Sequence, residues 1–592
     1  MSTSSTDTIL STSYITSLVN SYITNQTNQI LTPIATRQTR YQNLSSAYSA
    51  FSSKLNSLQT LLSDFKTTDS TSLFNAKASA SSNSDFIATT VDSSASIGAY
   101  NMRVSQLAKN DVLVSQDLLS ATANAIIGTH SFTMTAGDGT NPDFTSHVDV
   151  TFSGSETNQT VMEKIRDAIN SDKAVVQSST KSSSTSYTGG ASTFTIDLNG
   201  TETIISVDGG GTYGDLIDEI AAKINSTVSG VSAEKVSDSP NPGDVSLKLT
   251  VNDSKNYISI TNTSGFDVVS DLGIGVTKEK GASGIMTASS FTPASGYTQF
   301  SLTSKNTGVD YRIKDLSDSG SSTALSSIGL NIGTSRPAFD QSTAPDTAGY
   351  LYSDISSNSL LNSKISFNGL DIVRNSNTIN DLVTGVTFNL KSAMQSTDSD
   401  VNVSVSNDVK TIESKVQNFI TKFNDIYSYL KSNSAASSSG QSVLSYDSNV
   451  SALLSILRTV AYTRISGLPN GDLSSLSQIG ISFDTTNGLS ISDTATFEQK
   501  VNENADQVAA LFNSTNGLAN SLYNQINPFL GVNGYLTLKK NTYDNNVRSL
   551  SDKISAAQDR ISKSADSLRT QYEKLQSQLA DMISLQNMIS YL

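Results

Sequence analysis

Few residues in this chain are of the types that do chemistry. Cysteine is absent, which removes thiolate nucleophiles, thiolate metal ligands and disulfides together. The two histidines, His130 and His147, fall in alternating strand-like runs with no carboxylate cluster close in sequence, so they read as hairpin positions rather than ligands or general bases. Gly209-Gly210-Gly211-Thr212-Tyr213-Gly214 matches a dinucleotide-binding spacing between a strand-like and a helix-like run. A dinucleotide fold wants a continuously apolar parallel strand there, whereas Thr201 to Val207 carries Thr, Glu and Ser and no series of strand–helix units follows. Those glycines read as a hairpin-to-helix loop. Asp484 to Gly488 lacks the oxygen spacing and closing Glu of a calcium loop and reads as a turn before a strand. Walker, G-x-S-x-G and H-E-x-x-H patterns are missing as well. The expectation is a protein that is not an enzyme, with no cofactor and no metal, working through its surfaces and its assembly.

The elements that carry those surfaces are announced by glycine. All 35 glycines lie between Gly98 and Gly534, and of the nine prolines only Pro33 lies outside that interval. Both ends are therefore free to form long helices. Tyr41, Leu44, Tyr48, Phe51, Leu55, Leu58, Leu62 and Phe65 alternate spacings of three and four, which is a helical seam. Val547, Leu550, Ile554, Ala557, Ile561, Ala565, Leu568, Tyr572, Leu575, Leu579, Met582 and Ile589 repeat the rhythm at the other end, with a stutter near Ile561. Helices of about 50 residues, about 75 Å at 1.5 Å per residue, are too long to be wrapped by one globular domain and need each other or neighbouring subunits. Upstream of Tyr41 the seam is diluted by Asn20, Thr27 and Arg37 among poor helix formers, so this outer segment is expected to order on assembly.

Further helices fit Ile412 to Leu430, Val450 to Arg464 and Ala505 to Ile526. Between about 75 and 405 the pattern changes to short alternating runs with Asn199-Gly200 and Asn368-Gly369 as hairpin turns. A degenerate repeat runs through this part: Ser131 to Met134 with Thr160 to Asn170, then Thr193 to Ile196 with Leu216 to Asn225, each reading as hairpin, helix, strand. Ser-rich breaks at Ser178 to Ser192 and Ser432 to Ser442 read as linkers or loop tips.

At about 150 residues per domain, 592 residues make about four units. The fold class expected is α+β multidomain, with long terminal helices forming an antiparallel coiled-coil or helical leg and β-rich head domains inserted between them. The divisions are 1–40 with 550–592 as a terminal coiled-coil region, 41–75 with 405–549 as a helical leg, 76–125 with 270–404 as a β-rich head, and 126–269 as an outer head holding the repeats.

Charged residues at 16% and hydrophobic ones at 36% fall below the usual values of about 25% and 45–50%, so the cores are modest and the surface is rich in hydroxyls. A net charge of −14 opposes phosphate binding, and nucleic acid is not an expected partner. No run approaches the ~18 apolar residues of a membrane span, so no membrane insertion is expected; the first twenty residues lack the basic and apolar regions of a cleaved signal peptide.

Five blocks resemble the flagellar hook-associated protein 2 family, the caps of bacterial flagellar filaments. They are Tyr14 to Val19; Gly98-Ala99-Tyr100-Asn101-Met102-Arg103-Val104-Ser105-Gln106-Leu107-Ala108; Phe367-Asn368-Gly369-Leu370-Asp371-Ile372 with Ser376 to Leu382 and Gly385 to Phe388; Ile479 to Ile481 through Gly488-Leu489 to Leu511-Phe512; and the helix ending Ser590-Tyr591-Leu592. Residues 125 to 350 match weakly, although their repeats resemble those inside flagellins and cap proteins. Ser11, Thr12 and Ser13 stand where the family often has glycine.

The resemblance implies a homo-oligomeric ring, commonly a pentamer, outside the cell at the filament tip. There it would aid folding and insertion of flagellin, prevent flagellin loss and so support elongation and motility. It also implies an export apparatus and chaperone as partners, and export without a cleaved signal. Leu18, Ile23, Ile30 and Ile34 on the first helix and Leu568, Leu575, Leu579, Ile583 and Ile589 on the last are the residues expected to meet flagellin or other subunits, or to form an intrachain core. The other readings are a flagellin or hook–filament junction protein, or a secreted adhesin.

Overall fold

The computed structural model describes residues 11–139, 142–237, 241, 243–356, 359–434, 436–437, 440–441 and 443–590. Part of the break Ser432 to Ser442, and the final Tyr591 and Leu592 of the fifth block, lie outside the described residues.

The chain starts with helix α1, Thr12–Gln26, whose first turn is capped by the Ser11 hydroxyl accepting from the Tyr14 N–H. Thr27–Leu31 widen into one π-helical turn among β-branched and amide residues, and α2, Thr32–Phe65, continues without a break in helical backbone, with Pro33 just after the π-turn where its ring and missing N–H interrupt the regular hydrogen-bond ladder.

A seven-stranded sheet follows, built from β1 Ile127–Ala136, β2 Phe144–Ser153, β3 Ser192–Leu198, β4 Thr201–Val207, β5 Tyr257–Gly265, β6 Val276–Lys280 and β7 Ile313–Asp318, in the order β4-β3-β5-β6-β2-β1-β7. Each repeat is a hairpin followed by a helix: β1–β2 with α3, Asn158–Ser171, and β3–β4 with α4, Tyr213–Thr227. Asn199 and Gly200 take φ values of 53° and 87°, the left-handed pair a two-residue hairpin turn demands, and Asn368 and Gly369 do the same at 50° and 83°. The glycine motif forms the loop from β4 into α4. β4 is an antiparallel edge strand, and Thr212 caps the helix in a reciprocal box with Asp215, so this is no dinucleotide site.

The cores cut across the expected divisions. The first repeat packs Phe132, Met134, Val148 and Ile165 with Phe300, Leu302, Leu325 and Tyr350 from the following segment. The second packs Phe194, Ile196, Leu216 and Ile220 with Leu247 and Leu249. A 126–269 outer head therefore does not coincide with a single core, because the strands after residue 280 return to the first repeat. Within the Ser-rich break at 178–192, Ser178 and Tyr187 are buried and belong to the second module.

A smaller sheet, in the order Lys77–Ser81, Val401–Asn407, Gly98–Gln106, Ser363–Phe367, Leu370–Arg374, unites two of the resemblance blocks. Tyr100 stacks on Phe367 at 5.5 Å, and the Asn101 N–H donates to Asn368 Oδ1 at 2.8 Å.

The chain closes with α5 Val409–Ser434, α6 Ser448–Tyr462, α7 Thr494–Glu503, α8 Ala505–Asn513, α9 Leu518–Ile526 and α10 Tyr535–Ser590. The helix expected over Ala505 to Ile526 is two helices. At Gly517 a Cβ would lie 2.5 Å from the Phe512 carbonyl oxygen, so the chain turns there on a residue without one.

Contacts group residues 1–78, 92–94 and 406–592 into one compact unit and 79–91 with 95–405 into another. In the first, the α2 seam from Tyr48 to Phe65 meets Ile412, Val416, Phe419, Phe423 and Ile426 of α5. At its end Phe512 lies 5.3 Å from both Phe65 and Phe74 and 6.0 Å from Phe419, ring centre to ring centre. Among the described residues no helix is long and apolar enough to cross a membrane.

Phe512→Ala empties the middle of this ring cluster and should destabilise the helical unit by about 3–5 kcal/mol in urea unfolding of the full chain. A loss below about 1 kcal/mol would show that the cluster contributes little.

Candidate assembly surface

The surface that gathers the predicted residues is the pairing of the two chain ends. The α10 helix packs against α1, the π-turn and α2. Gln38 Nε2 donates to the Val547 carbonyl at 3.5 Å, Ser45 Oγ donates to Asp544, and Val19 packs with Ala565. Rising numbers on one helix meet falling numbers on the other, so the pair is antiparallel.

Its inner end is tied by polar bonds inside an aromatic shell. Tyr543 lies 5.7 Å from Tyr41 and 5.6 Å from Tyr48, stacked on the latter. The Tyr48 hydroxyl donates to Asp447, as does that of Tyr535 at 2.7 Å, while the other Asp447 oxygen accepts the N–H groups of Asn449 and Val450 and so caps α6. One buried carboxylate thus joins α2, α6 and α10, and its four bonds offset the cost of burying a charge. Burial first, and the neighbouring Asp447 second, hold the phenols of Tyr48 and Tyr535 above their ordinary value. Asp544 is held below its ordinary value by Lys540, at 2.6 Å, and by Ser45.

Farther along, the pairing thins. Ile15, Val19 and Ala565 are buried with Tyr22, Ile23 and Tyr572 against them, and Leu550, Ala557 and Ile561 are the buried residues between. Of the predicted set, Ile23 belongs to this cluster. Leu18, Ile30, Ile34, Leu568, Leu579 and Ile583 are half-buried, and Leu575 and Ile589 are exposed. The fully buried residues on α1 are its neighbours Ile15 and Val19, which the pattern of large aliphatics alone did not single out. Ala565 and Tyr572 were in the seam but not among the chosen contacts.

Beyond Tyr572 the described part of α1 no longer runs alongside, and Leu575, Met582, Leu585, Met588 and Ile589 stand between 44% and 69% exposed. Successive residues on a helix turn by 100°, so Met582, Ile583, Leu585, Met588 and Ile589 occupy more than half of its circumference. Asp581 is the last charged residue of the chain, and none occurs from Thr8 to Thr36. From Met582 on, the described part of α10 is thus a broad apolar surface without charge, while Glu573, Lys574 and Asp581 lie between Tyr572 and that tip.

Elsewhere, the two histidines are placed by the β unit. His130 Nδ1 accepts from the Thr323 N–H at 3.0 Å, as expected of a hairpin position. His147 departs from expectation: Glu279, distant in sequence, reaches its Nδ1 at 2.9 Å, a pairing that only the parallel contact of β2 with β6 creates. No group of three or more metal-ligating side chains occurs among the described residues.

Paired terminal helices with a β unit inserted between them in sequence, and an exposed apolar helix tip uncharged after Asp581, define a structural assembly protein. Two family models then place it: the one described as flagellar hook-associated protein 2 C-terminus matches residues 361–584, and its N-terminal counterpart matches residues 11–111. Together they cover more than half of the chain, which belongs to the flagellar hook-associated protein 2 family. It is 25% identical over 361 residues to the B-type flagellar hook-associated protein 2 of Pseudomonas aeruginosa, covering 59% of this chain and 70% of that one. It is 27% identical over 189 residues to the flagellar hook-associated protein 2 of Aeromonas caviae, covering 31% and 40%. Among solved structures it is similar to the D1-D2-D3 domains of the flagellar cap protein FliD from Escherichia coli, at 18% identity and a TM-score of 0.42, covering 84% of this chain and 99% of that one.

Asp447→Ala and Tyr48→Phe, singly and together, should reveal a coupling of about 1–3 kcal/mol in thermal unfolding, because the alanine strands the buried hydroxyl of Tyr48 and the half-buried one of Tyr535. Additive effects would show that Asp447 does not join the helices. Both phenols ionise near 10.0 when unfolded and higher when folded, so stability should fall as pH rises above 10, less steeply in Tyr48→Phe.

Proposed function

We propose that this protein caps the distal end of the flagellar filament as a homo-oligomeric ring, pentameric as the family resemblance implies. The ring would promote folding and insertion of exported flagellin and prevent its loss, and so sustain elongation and motility. The family membership supports this reading over a flagellin, a junction protein or an adhesin. One observation carries it: the exposed apolar tip of α10, uncharged after Asp581, too broad for a single partner helix and suited to packing among helices from other subunits or from flagellin. Leu568, Leu575, Leu579, Ile583 and Ile589 on this helix, with Leu18, Ile23, Ile30 and Ile34 opposite, are the contacts proposed. Side chains half-buried within the chain can exchange partners at modest cost, which suits a cap that releases and rebinds at each subunit added. The proposed route is export from the cell without a cleaved signal, delivered by a chaperone to the export apparatus.

Charge adds a condition. Residues 1–78, 92–94 and 406–592 hold 20 basic and 20 acidic side chains, and the rest of the chain holds 19 and 33, so the whole −14 belongs to the β unit. Bringing several such units together costs repulsion that salt screens over about 8–10 Å.

Replacing Leu575, Leu579, Met582 and Ile583 with Ser should leave the unfolding temperature within about 2 °C, since these residues add little to the monomer's core, yet lower the oligomer fraction at least tenfold in light scattering. Cells carrying the variant should secrete flagellin without building filaments; normal filaments would contradict the reading. In the wild-type protein, raising salt from about 20 to 300 mM should increase the oligomer, and a decrease would show that attraction between charges holds the ring.

A further inference from the structure

The two repeat modules of the β unit have separate cores and share a sheet only where β6 lies parallel to β2, with Glu279 opposite Thr145. Beside one ring contact, Phe144 with Tyr257 at 5.9 Å, the bonds across this seam are polar. Ser146 Oγ donates to the Lys280 carbonyl, and both the backbone N–H and the imidazole of His147 meet Glu279 Oε1, at 3.2 and 2.9 Å. Lys278 Nζ lies 2.5 Å from Asp138. Asp172, the residue after α3, receives the Ala282 N–H at 2.6 Å, and its carbonyl accepts from Ser283 Oγ at 2.6 Å.

Two features of this seam call for protons. Glu279 is 3% exposed, and the imidazole of His147 is the cationic group within ion-pair distance of it among the described residues. A carboxylate buried this far is costly unless its partner is charged. Asp172 sits at the carbonyl end of a 14-residue helix, where a negative charge opposes the helix dipole, and it shares the site with Glu279 and Asp149.

We propose that the seam is a proton-operated latch: protonated His147 and protonated Asp172 hold β6 against β2, and loss of those protons frees the second module to move relative to the first. The groups around the latch are few. Asp149 on β2 is engaged by Ser131 Oγ of β1 at 2.5 Å, β1 presents Thr133 opposite His147, and β5 presents the apolar Ile258 opposite Glu279. Lys278 and Lys280 lie on the other side of β6 by strand alternation, the first paired with Asp138 and the second over the Phe144 ring. Lys173 follows Asp172 and is exposed.

The signs agree. The hydrogen bond His147 donates to Glu279, with the charges of Glu279 and Asp149 adding to it, holds His147 above its ordinary 6.5. Its contribution is therefore complete below 6.5 and is lost as pH rises through the higher folded value. Burial pushes Asp172 from 3.8 up to about 7, so its protonated form favours the closed seam and that contribution fades between 3.8 and about 7. Mild acid closes the latch and alkali loosens it. The latch does not depend on the capping role.

Hydrogen exchange of the full chain, corrected for intrinsic rates, tests it. Amides of residues 144–149 and 276–282 should lose about tenfold in protection between pH 5.5 and 8, the equivalent of about one pKa unit, while those of α5 hold theirs. His147→Gln should show the loosened seam at both pH values, Asp172→Asn should retain part of the protection at pH 8, and His130→Gln should behave as wild type. Unchanged protection in the wild type, or a full pH response in His147→Gln, overturns the latch. Should His147→Gln fail to fold, His130→Gln leaves a single histidine whose proton resonance can be titrated. A midpoint above 6.5 supports the latch and one at or below 6.5 overturns it.

Discussion

The structure depends on one constraint: helices from opposite ends of the chain lie side by side, the 56-residue α10 running antiparallel along the 34-residue α2 and then along the π-turn and α1. Neither could persist alone at this length with so much hydroxyl and amide in its sequence, because most helical stability comes from packing an apolar face. Pairing supplies that face, and it brings the two ends of the chain into a single unit although more than 300 residues of β structure are inserted between them.

The pairing is graded. At its inner end, stacked tyrosines and the Asp447 carboxylate tie three helices, and the α2 seam continues into a core of large aromatics. At its outer end the buried residues are sparse, the π-turn interrupts α-helical bonding, and α10 runs on beyond the described part of α1. Strong anchoring and weak outer contact in one helix pair suit a protein that keeps its own fold while its tip exchanges partners. The β unit carries the net negative charge, so repulsion between its copies is what salt would relieve on assembly.

Much of this was legible in the sequence. The spacing of Tyr48 to Phe65, the glycine-free ends, the two Asn-Gly turns and the hairpin–helix repeats all rest on local rules of periodicity and backbone conformation, and the structure carries each of them. What was hidden depends on contacts between distant residues. Ile15 and Val19 are buried where Leu18 is only half-buried, because the face of α1 that meets α10 is set by packing along the whole pair. Glu279 meets His147 through a parallel strand contact that no periodicity announces, and the first repeat completes its core with residues beyond 280. The break at Gly517 went unread in the helix expected over Ala505 to Ile526, because it is set by the closeness of the Phe512 carbonyl.

The lengthwise pairing is tested most directly by measuring distances between spin labels on the two helices, which the absence of native cysteine makes clean. Labels at Thr16 and Arg569, both exposed, should give a short and narrow distance. Moving the first label to Thr39 should lengthen it to roughly the 35 Å that 23 helical residues span at about 1.5 Å each. A broad distribution that does not change when the label moves would show that the chain ends do not pair.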